Sequence, residues 1–243
     1  MWNLKSPGVL AVAGLLWIAV VPAVYASEAK PASAPSPDKV MAVHEETSVS
    51  AVEDLMREHG VLDRILLVYE ELLRRMEADE PFPSEVLKEA TEIIRDFIQG
   101  YHEKLEEKYV FVKFQRAAAF EALLKALQQQ HDRGRLLVKD IISCEGLRNP
   151  DEKKKLMASM RAFIRMYRPH KAREDTVLFP TFRTLLRFAE YDMLGDIFEQ
   201  EEERRFGEDG FAKTVKRVEG LEKTLGIYDL SQFTPPSGHK KGD

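Results

Sequence analysis

The chain of 243 residues contains a single cysteine, Cys144. One cysteine excludes an intramolecular disulfide, and it also excludes a metal or redox site built from cysteine pairs. Any metal chemistry must therefore come from histidine and carboxylate side chains. The sequence also lacks a glycine-rich phosphate-binding loop and the interleaved aromatic and basic residues that indicate binding of single-stranded nucleic acid.

An excess of positive charge is absent as well. The chain has 36 lysines and arginines against 41 aspartates and glutamates, which gives a formal net charge of −5. A protein with this balance has no electrostatic reason to hold a polyanion, so no nucleic-acid partner is expected.

Long apolar runs are limited to the N-terminus. Residues 9–21 are apolar apart from small residues, follow a segment that carries Lys5, and lead to Val24-Tyr25-Ala26. This pattern predicts a signal peptide over residues 1–26 and export, most simply to the periplasm, with no stable membrane association after cleavage. An uncleaved membrane anchor is the alternative, since the run is close to the minimum length for spanning. Residues 27–47 have the composition of a disordered linker.

The rest of the chain has a helical pattern. No stretch alternates with period two, whereas several long segments repeat apolar residues every three or four positions, which predicts an all-α fold. The first helix is expected to start at a cap on Ser48 or Ser50. The second starts at Ser84, the third spans about 117–143, and the fourth runs from about 151 to Phe179, where Pro180 is expected to kink or end it.

Beyond these helices, residues 191–227 contain an amphipathic segment that predicts a C-terminal helical extension packed on the bundle. Residues 228–243 include a Pro-Pro-Ser-Gly stretch and predict a disordered tail. The four-helix region itself is placed at residues 48–190.

A histidine–carboxylate pattern occurs twice. His102 and Glu106 are four residues apart, and so are His170 and Glu174. Residues at this spacing share one face of a helix, so each pair can close on one metal centre. A lone histidine precedes each pair at a similar distance. Together the four histidines and two glutamates indicate a dinuclear metal site inside a helical bundle: His59, His102, Glu106, His131, His170 and Glu174.

The connection lengths agree with this interpretation. His59 lies about 19 residues before the first break, and His102 lies 18 residues after Ser84. At about 1.5 Å per residue both legs measure about 28 Å, so antiparallel helices return the two histidines to the same height. The second pair, with legs of about 14 and 20 residues, is a looser match.

The region around each pair is repeated too. The first copy is His102-x-x-x-Glu106-Glu107-x-x-Val110-Phe111-x-x-Phe114, and the second is His170-x-x-x-Glu174-Asp175-x-x-Leu178-Phe179-x-x-Phe182. A single His-x-x-x-Glu on a charged helix is a weak signal, because an amphipathic helix can carry incidental histidines. Two copies, each with an upstream partner histidine, favour a metal site.

At these residues the chain resembles the hemerythrin family, specifically the hemerythrin-like (HHE cation-binding) domains, over about residues 50–190. The most specific part is the segment from His170 to Pro180. The resemblance implies an up-down antiparallel four-helix bundle with a non-haem di-iron centre. It would make His59 and His102 ligands of one iron, His131 and His170 ligands of the other, and Glu106 and Glu174 bridges. Ferritin-like bundles instead use Glu-x-x-His, and Gln99 and Tyr167 stand where those glutamates would be.

One departure from the family pattern affects the expected chemistry. Oxygen-carrying hemerythrins have a further histidine one turn from the third-helix histidine, where Leu127 and Arg135 flank His131 here. One iron would therefore lack its third imidazole. Unless Glu103, Tyr167 or another side chain substitutes, both metals would keep at least one open or water-filled position. Open metal positions favour reaction with peroxide, dioxygen or nitric oxide, or metal handling, over reversible oxygen carriage.

Carboxylates outside the ligand set usually orient ligating histidines. Glu58, Glu103 and Asp175 are the candidates for this role, although each is more simply explained as a surface residue.

The predicted signal peptide indicates an exported protein. The resemblance implies two iron ions, oxo- or hydroxo-bridged, in a protein that binds or senses dioxygen, nitric oxide or peroxide, or handles iron. The alternative is a di-iron oxidoreductase or peroxidase, and a third hypothesis is a metal with a structural role only. Histidine and carboxylate ligands also suit manganese or zinc. The sequence indicates neither a protein partner nor an electron donor.

Overall fold

The computed structural model describes residues 49–81, 83–146 and 149–236, and the predicted signal peptide and linker lie outside them. The described residues form six helices and no strand. The helices are α1 (Ala51–Glu77), α2 (residues 84–116), α3 (Glu121–Ser143), α4 (residues 150–184), α5 (Phe188–Phe206) and α6 (Gly210–Leu225), followed by a 3-10 helix at Leu230–Phe233. The predicted all-α helical bundle is confirmed.

Helices α1 to α4 form the bundle. α3 packs along α4, α1 packs along α4, and α2 lies against α1 and α3. The connections between consecutive helices are short, which places each helix antiparallel to the one before it. α5 and α6 both pack on α1 from outside the bundle. The core is a single cluster of buried side chains rich in aromatic rings, including Tyr69, Phe97, Phe114, Phe163 and Phe182.

The start of α1 follows the predicted cap. The Ser50 side chain accepts a hydrogen bond from the Glu53 N–H at 3.4 Å, and Glu53 and Asp54 lie in the first turn, where the helix dipole favours negative charge. α4 starts in the same way at Pro150, where the Asn149 side chain accepts from the Glu152 N–H at 3.0 Å.

The boundary between α2 and α3 differs from the prediction. α3 begins at Glu121 rather than at residue 117. Ala118 and Phe120 have φ values of 49° and 56°, in the left-handed region, and this conformation ends α2 at Arg116. Alanine and phenylalanine rarely adopt it, so the sequence carries no signal for the turn.

The end of α4 differs too. The helix continues through Pro180 to Thr184. Pro180 lies in the first turn of an α-helical segment that follows a π-helical segment, and at such a position a missing N–H costs little. In the region predicted as a disordered tail, residues 228–236 include the 3-10 helix.

Both α2 and α4 contain π-helical segments. α2 has two, Ile94–His102 and Glu106–Val110, and α4 has one, Glu174–Leu178. The N–H groups of Phe111 and Phe179 donate to the carbonyls of Glu106 and Glu174, five residues back. π-helical turns often occur at functional sites. Each of these segments contains a residue of a His-x-x-x-Glu motif.

No helix in the described part of the chain is both long and apolar enough to cross a membrane. The apolar run at residues 9–21 lies outside that part, so export and anchoring stay predictions.

Candidate metal centre

The six residues singled out from the sequence lie together inside the bundle. They form two groups whose potential ligand atoms lie within 4.8 Å of one another. Glu106 belongs to both groups, and every member is at most 4% exposed. The first group is His59, His102 and Glu106, and the second is Glu106, His131, His170 and Glu174.

The histidines meet in pairs through their Nε2 atoms. These atoms are 3.1 Å apart in His59 and His102, and 3.2 Å apart in His131 and His170. Each pair joins two neighbouring helices, α1 with α2 and α3 with α4. The imidazole nitrogens therefore converge from all four helices of the bundle.

The two glutamates lie between the histidine pairs. Glu106 Oε1 is 3.6 Å from His102 Nε2, and its Oε2 is 3.4 Å from His131 Nε2. Glu174 Oε2 is 3.5 Å from His59 Nε2 and 3.1 Å from His170 Nε2. Each carboxylate thus approaches both pairs, as a bridging ligand does.

The four oxygens of these glutamates are buried and have no hydrogen-bond partner among the described residues. Burying a carboxylate without a partner is costly, so such atoms call for an explanation. Metal ions supply one, because imidazole nitrogen together with carboxylate oxygen is a donor set that suits iron, manganese or zinc. The residues present therefore fit a dinuclear metal centre, and the role of each as a ligand stays a prediction.

The outer nitrogen of every histidine is held as well. Each Nδ1 lies within hydrogen-bond distance of a side-chain oxygen: Asp175 for His59 at 2.7 Å, Glu58 for His102 at 2.6 Å, Glu107 for His131 at 3.1 Å, and Gln130 for His170 at 2.9 Å. A carboxylate or amide oxygen can only accept, so Nδ1 carries the proton. The Nε2 lone pairs are then directed to the centre of the bundle, the orientation that metal binding needs.

These contacts follow the internal repeat. The residue before the histidine of α1 or α3, Glu58 or Gln130, accepts from the histidine of the next helix. The residue after each central glutamate, Glu107 or Asp175, accepts from a histidine of α3 or α1. The aromatic contacts repeat too: the Phe111 ring stacks on His131 at 5.4 Å, and the Phe179 ring stacks on His59 at 5.5 Å.

Two of the candidates for orienting histidines, Glu58 and Asp175, each bind a histidine Nδ1. A surface position was the simpler explanation for Glu58, but this residue is fully buried. Glu107 and Gln130 were not singled out. Their signal is position, since each is adjacent in sequence to a residue of the centre.

The family comparison agrees with this geometry. The family described as Hemerythrin HHE cation binding domain matches residues 50–182. The chain belongs to this family.

Two relatives of this hemerythrin-like chain are uncharacterized proteins of Mycobacterium tuberculosis and Mycobacterium bovis. Each is 47% identical over 194 residues, which is 79% of this chain and 76% of the relative. No solved structure matches the chain.

The electrostatics of the hemerythrin-like centre differ between histidines. Burial disfavours the charged form of His59, but the hydrogen bond to Asp175 and the nearby carboxylate of Glu174 outweigh burial and raise its pKa to about 10. Burial lowers the pKa of His102 to about 4. Burial would raise the pKa of Glu174, but the charges of His170 and His59 close to it lower the pKa. The metal-free centre therefore balances its carboxylates with protons on some imidazoles, and a metal ion would displace these protons.

Arg135, one turn after His131 on α3, binds two carboxylates beside the centre. Its Nη2 donates to Glu103 Oε2 at 2.8 Å and to Glu107 Oε1 at 2.6 Å. The Tyr167 hydroxyl donates to Glu103 Oε1 at 2.5 Å. A surface position was the simpler explanation for Glu103, but this residue is only 1% exposed. Both of its carboxylate oxygens accept hydrogen bonds from protein side chains. Ligation by Glu103 would have to break one of these bonds.

Gly134 makes room for this network. A Cβ atom on Gly134 would collide with the Tyr167 hydroxyl oxygen. Position 134 must therefore be glycine for the Tyr167 side chain to reach Glu103.

Proposed function

We propose that this chain is an exported non-haem di-iron protein of hemerythrin type that binds or reacts with a small ligand. The ligand class is peroxide, dioxygen or nitric oxide, and iron handling belongs to the same proposal. The observation that carries it is the position of Glu106, which offers one oxygen to each histidine pair. All four carboxylate oxygens of Glu106 and Glu174 lack a hydrogen-bond partner in the described protein.

In this proposal His59 and His102 hold one iron, His131 and His170 hold the other, and Glu106 and Glu174 are shared. Iron supplies redox chemistry and an open position for a small ligand. The protein orients the imidazoles through their Nδ1 partners and covers two of them with the Phe111 and Phe179 rings, which limits the approach of water.

A second candidate, a di-iron oxidoreductase or peroxidase, is favoured by one observation. Arg135 stands where oxygen carriers have a further histidine, and its guanidinium is bound to Glu103 and Glu107. A metal position without that imidazole is accessible to a reacting ligand. Turnover of peroxide by iron-loaded protein distinguishes this enzyme from a binding protein, which reacts without turning over.

The first experiment is metal stoichiometry per chain in mature protein purified without added chelator. We expect about two irons in the wild type and fewer in His131→Ala and Glu106→Gln. His44→Ala, which changes a histidine outside the described residues, is the matched control and should keep the wild-type content. Zinc alone, or no metal after anaerobic iron loading, would contradict the di-iron proposal.

Export is tested separately. Mass spectrometry of the protein from its native host should find a mature N-terminus near residue 27, in the fraction released from outside the cytoplasmic membrane. Recovery of the intact N-terminus in the membrane fraction would instead favour the anchor.

A further inference from the structure

A group of potential ligands made only of carboxylates lies beside the histidine centre. Carboxylate oxygens of Asp54, Glu58 and Glu202 lie within 4.8 Å of one another. Asp54 and Glu58 belong to α1 and are 8% and 0% exposed, and Glu202 on α5 is half-buried. Glu202 lies outside the residues that match the family, 50–182, so this group is a feature added by the C-terminal helices.

One oxygen of the group is an unpaired buried atom. Glu58 Oε2 accepts from His102 Nδ1, but Glu58 Oε1 is buried and accepts no hydrogen bond from the described residues. The Tyr101 hydroxyl lies nearby, but its proton is donated to the Phe198 carbonyl at 3.2 Å. A carboxylate oxygen deprived of both water and a protein donor is costly, and two further carboxylates nearby increase the cost. A cation between them would remove it.

The turn between α5 and α6 fixes the position of Glu202. Glu202 Oε1 accepts a hydrogen bond from the Phe211 N–H at 2.8 Å. Gly210 allows this close approach, since a Cβ there would lie 2.7 Å from Phe206 Cβ and 3.1 Å from Glu202 Oε1. The other oxygen of Glu202 stays available to a ligand.

The protein supplies little positive charge at this place. Arg57 Nη1 is 3.9 Å from Asp54 Oδ1, and its guanidinium stacks over the Phe211 ring at 4.2 Å. Apart from the bond between His102 and Glu58, this distant arginine is the one ion pair that the described residues give to the three carboxylates.

The second half of the bundle shows how a histidine is oriented without such a carboxylate group. Gln130 and Ala126 occupy the positions that Glu58 and Asp54 occupy in the first half of the bundle. Gln130 accepts from His170 Nδ1 at 2.9 Å, as Glu58 does from His102. A neutral amide thus orients His170, so orientation of a histidine does not by itself require the carboxyl groups at positions 54 and 58.

We propose that Asp54, Glu58 and Glu202 form a third cation site, made of oxygen ligands only, next to the dinuclear centre. Hard divalent cations such as Mn²⁺, Fe²⁺, Mg²⁺ or Ca²⁺ prefer such ligands. Glu58 connects the two places, with one oxygen on the cation and the other on His102.

Mn²⁺ is the probe for the test, and the electron paramagnetic resonance signal of free Mn²⁺ counts the ions that the iron-loaded full chain takes up. Glu202→Gln should bind one Mn²⁺ fewer per chain than the wild type. The amide keeps an acceptor for the Phe211 N–H, so the turn should be preserved. Glu203→Gln is the matched control, since it removes the same charge from an exposed neighbour on the same helix.

Equal Mn²⁺ uptake by Glu202→Gln and Glu203→Gln would overturn the proposal. Asp54→Asn is a second variant in case Glu202→Gln does not fold, and it should lose the same ion. Iron content measured on the same samples keeps the two proposals distinguishable. The third-site proposal concerns the difference between the variants, whereas absence of iron in all of them contradicts the di-iron centre alone.

Discussion

Tyr167 donates a hydrogen bond to Glu103 across 2.5 Å, and both side chains are almost completely buried. The bond joins α4 to α2 beside the metal centre, and Arg135 on α3 binds the other oxygen of Glu103. Three helices of the bundle thus meet at one carboxylate.

Replacement of Gly134 by alanine tests the space that this bond needs. The new methyl group would displace the Tyr167 hydroxyl, so Gly134→Ala should lower the free energy of unfolding by about 1–3 kcal/mol. Gly60→Ala is the control, because a Cβ at that exposed helical position has nothing within 4 Å and should be neutral or stabilising. Urea denaturation of both variants measures the difference in stability. Equal midpoints would contradict the prediction that a methyl group at position 134 displaces the Tyr167 hydroxyl.

Asp175 is expected to tune His59 through its hydrogen bond to Nδ1. Asp175→Asn keeps the shape and an acceptor but removes the charge, so iron affinity should fall about 10- to 100-fold. Competition with a chelator of known affinity measures the change. Asp192→Asn, on an exposed part of α5, should leave the affinity unaltered; a comparable loss there would point to net charge rather than to the bond.

Arg135→His restores the histidine that the family pattern contains. If the missing imidazole leaves a reactive metal position, this variant should consume peroxide more slowly than Arg135→Gln does, both loaded with iron. The comparison is needed because either change leaves buried Glu103 without its arginine, at a cost of about 1–3 kcal/mol. Identical oxygen and peroxide chemistry in the two variants would contradict the hypothesis that the absent imidazole leaves a reactive metal position.

Asp54 should make the metal-free protein sensitive to pH. Burial and the neighbouring charges of Glu58 and Glu202 raise its pKa from 3.8 to about 8. The folded state therefore binds this proton more tightly than the unfolded state, so the stability that it contributes is complete below pH 3.8 and is lost as the pH rises to about 8.

Asp54→Asn removes the titrating carboxyl group and with it the loss of stability at high pH. Above pH 8, with chelator present, the variant should exceed the wild type in free energy of unfolding by roughly 1–3 kcal/mol, and the difference should shrink toward pH 3.8. Urea midpoints at the two ends of this window measure it. A pH-independent difference would show that the effect of the substitution is not the titration of Asp54. The exposed Asp196→Asn serves as the control.

Much of the site could be predicted because helical spacing alone brings His102 near Glu106 and His170 near Glu174. The partners of the Nδ1 atoms were less accessible to sequence reasoning. Glu107 follows a central glutamate and resembles any solvated helix residue until the bundle is assembled. Glu202 lies in the acidic run Glu201-Glu202-Glu203, which is typical of a solvated face, and nothing local indicates that α5 returns to α1 beside Asp54.

The helix boundaries were predictable where side chains determine them. Ser50 and Asn149 cap α1 and α4 with bonds that their residue types favour. The left-handed Ala118 and Phe120 have no such signal, since tertiary packing imposes their conformation against local preference. The sequence does not predict the π-helical segments either, because π-helical and α-helical turns use the same residue types.

The π-helical segments change the direction in which the side chains that follow them point around the helix axis. Phe111 and Phe179, the rings stacked on His131 and His59, lie directly after the segments that begin at Glu106 and Glu174. Each residue of an α-helix turns the chain by about 100°, so deleting one residue inside such a segment would restore regular winding and carry the ring around the helix axis. The extra residue acts as a spacer that lets a carboxylate and an aromatic ring, five positions apart, face the same metal centre.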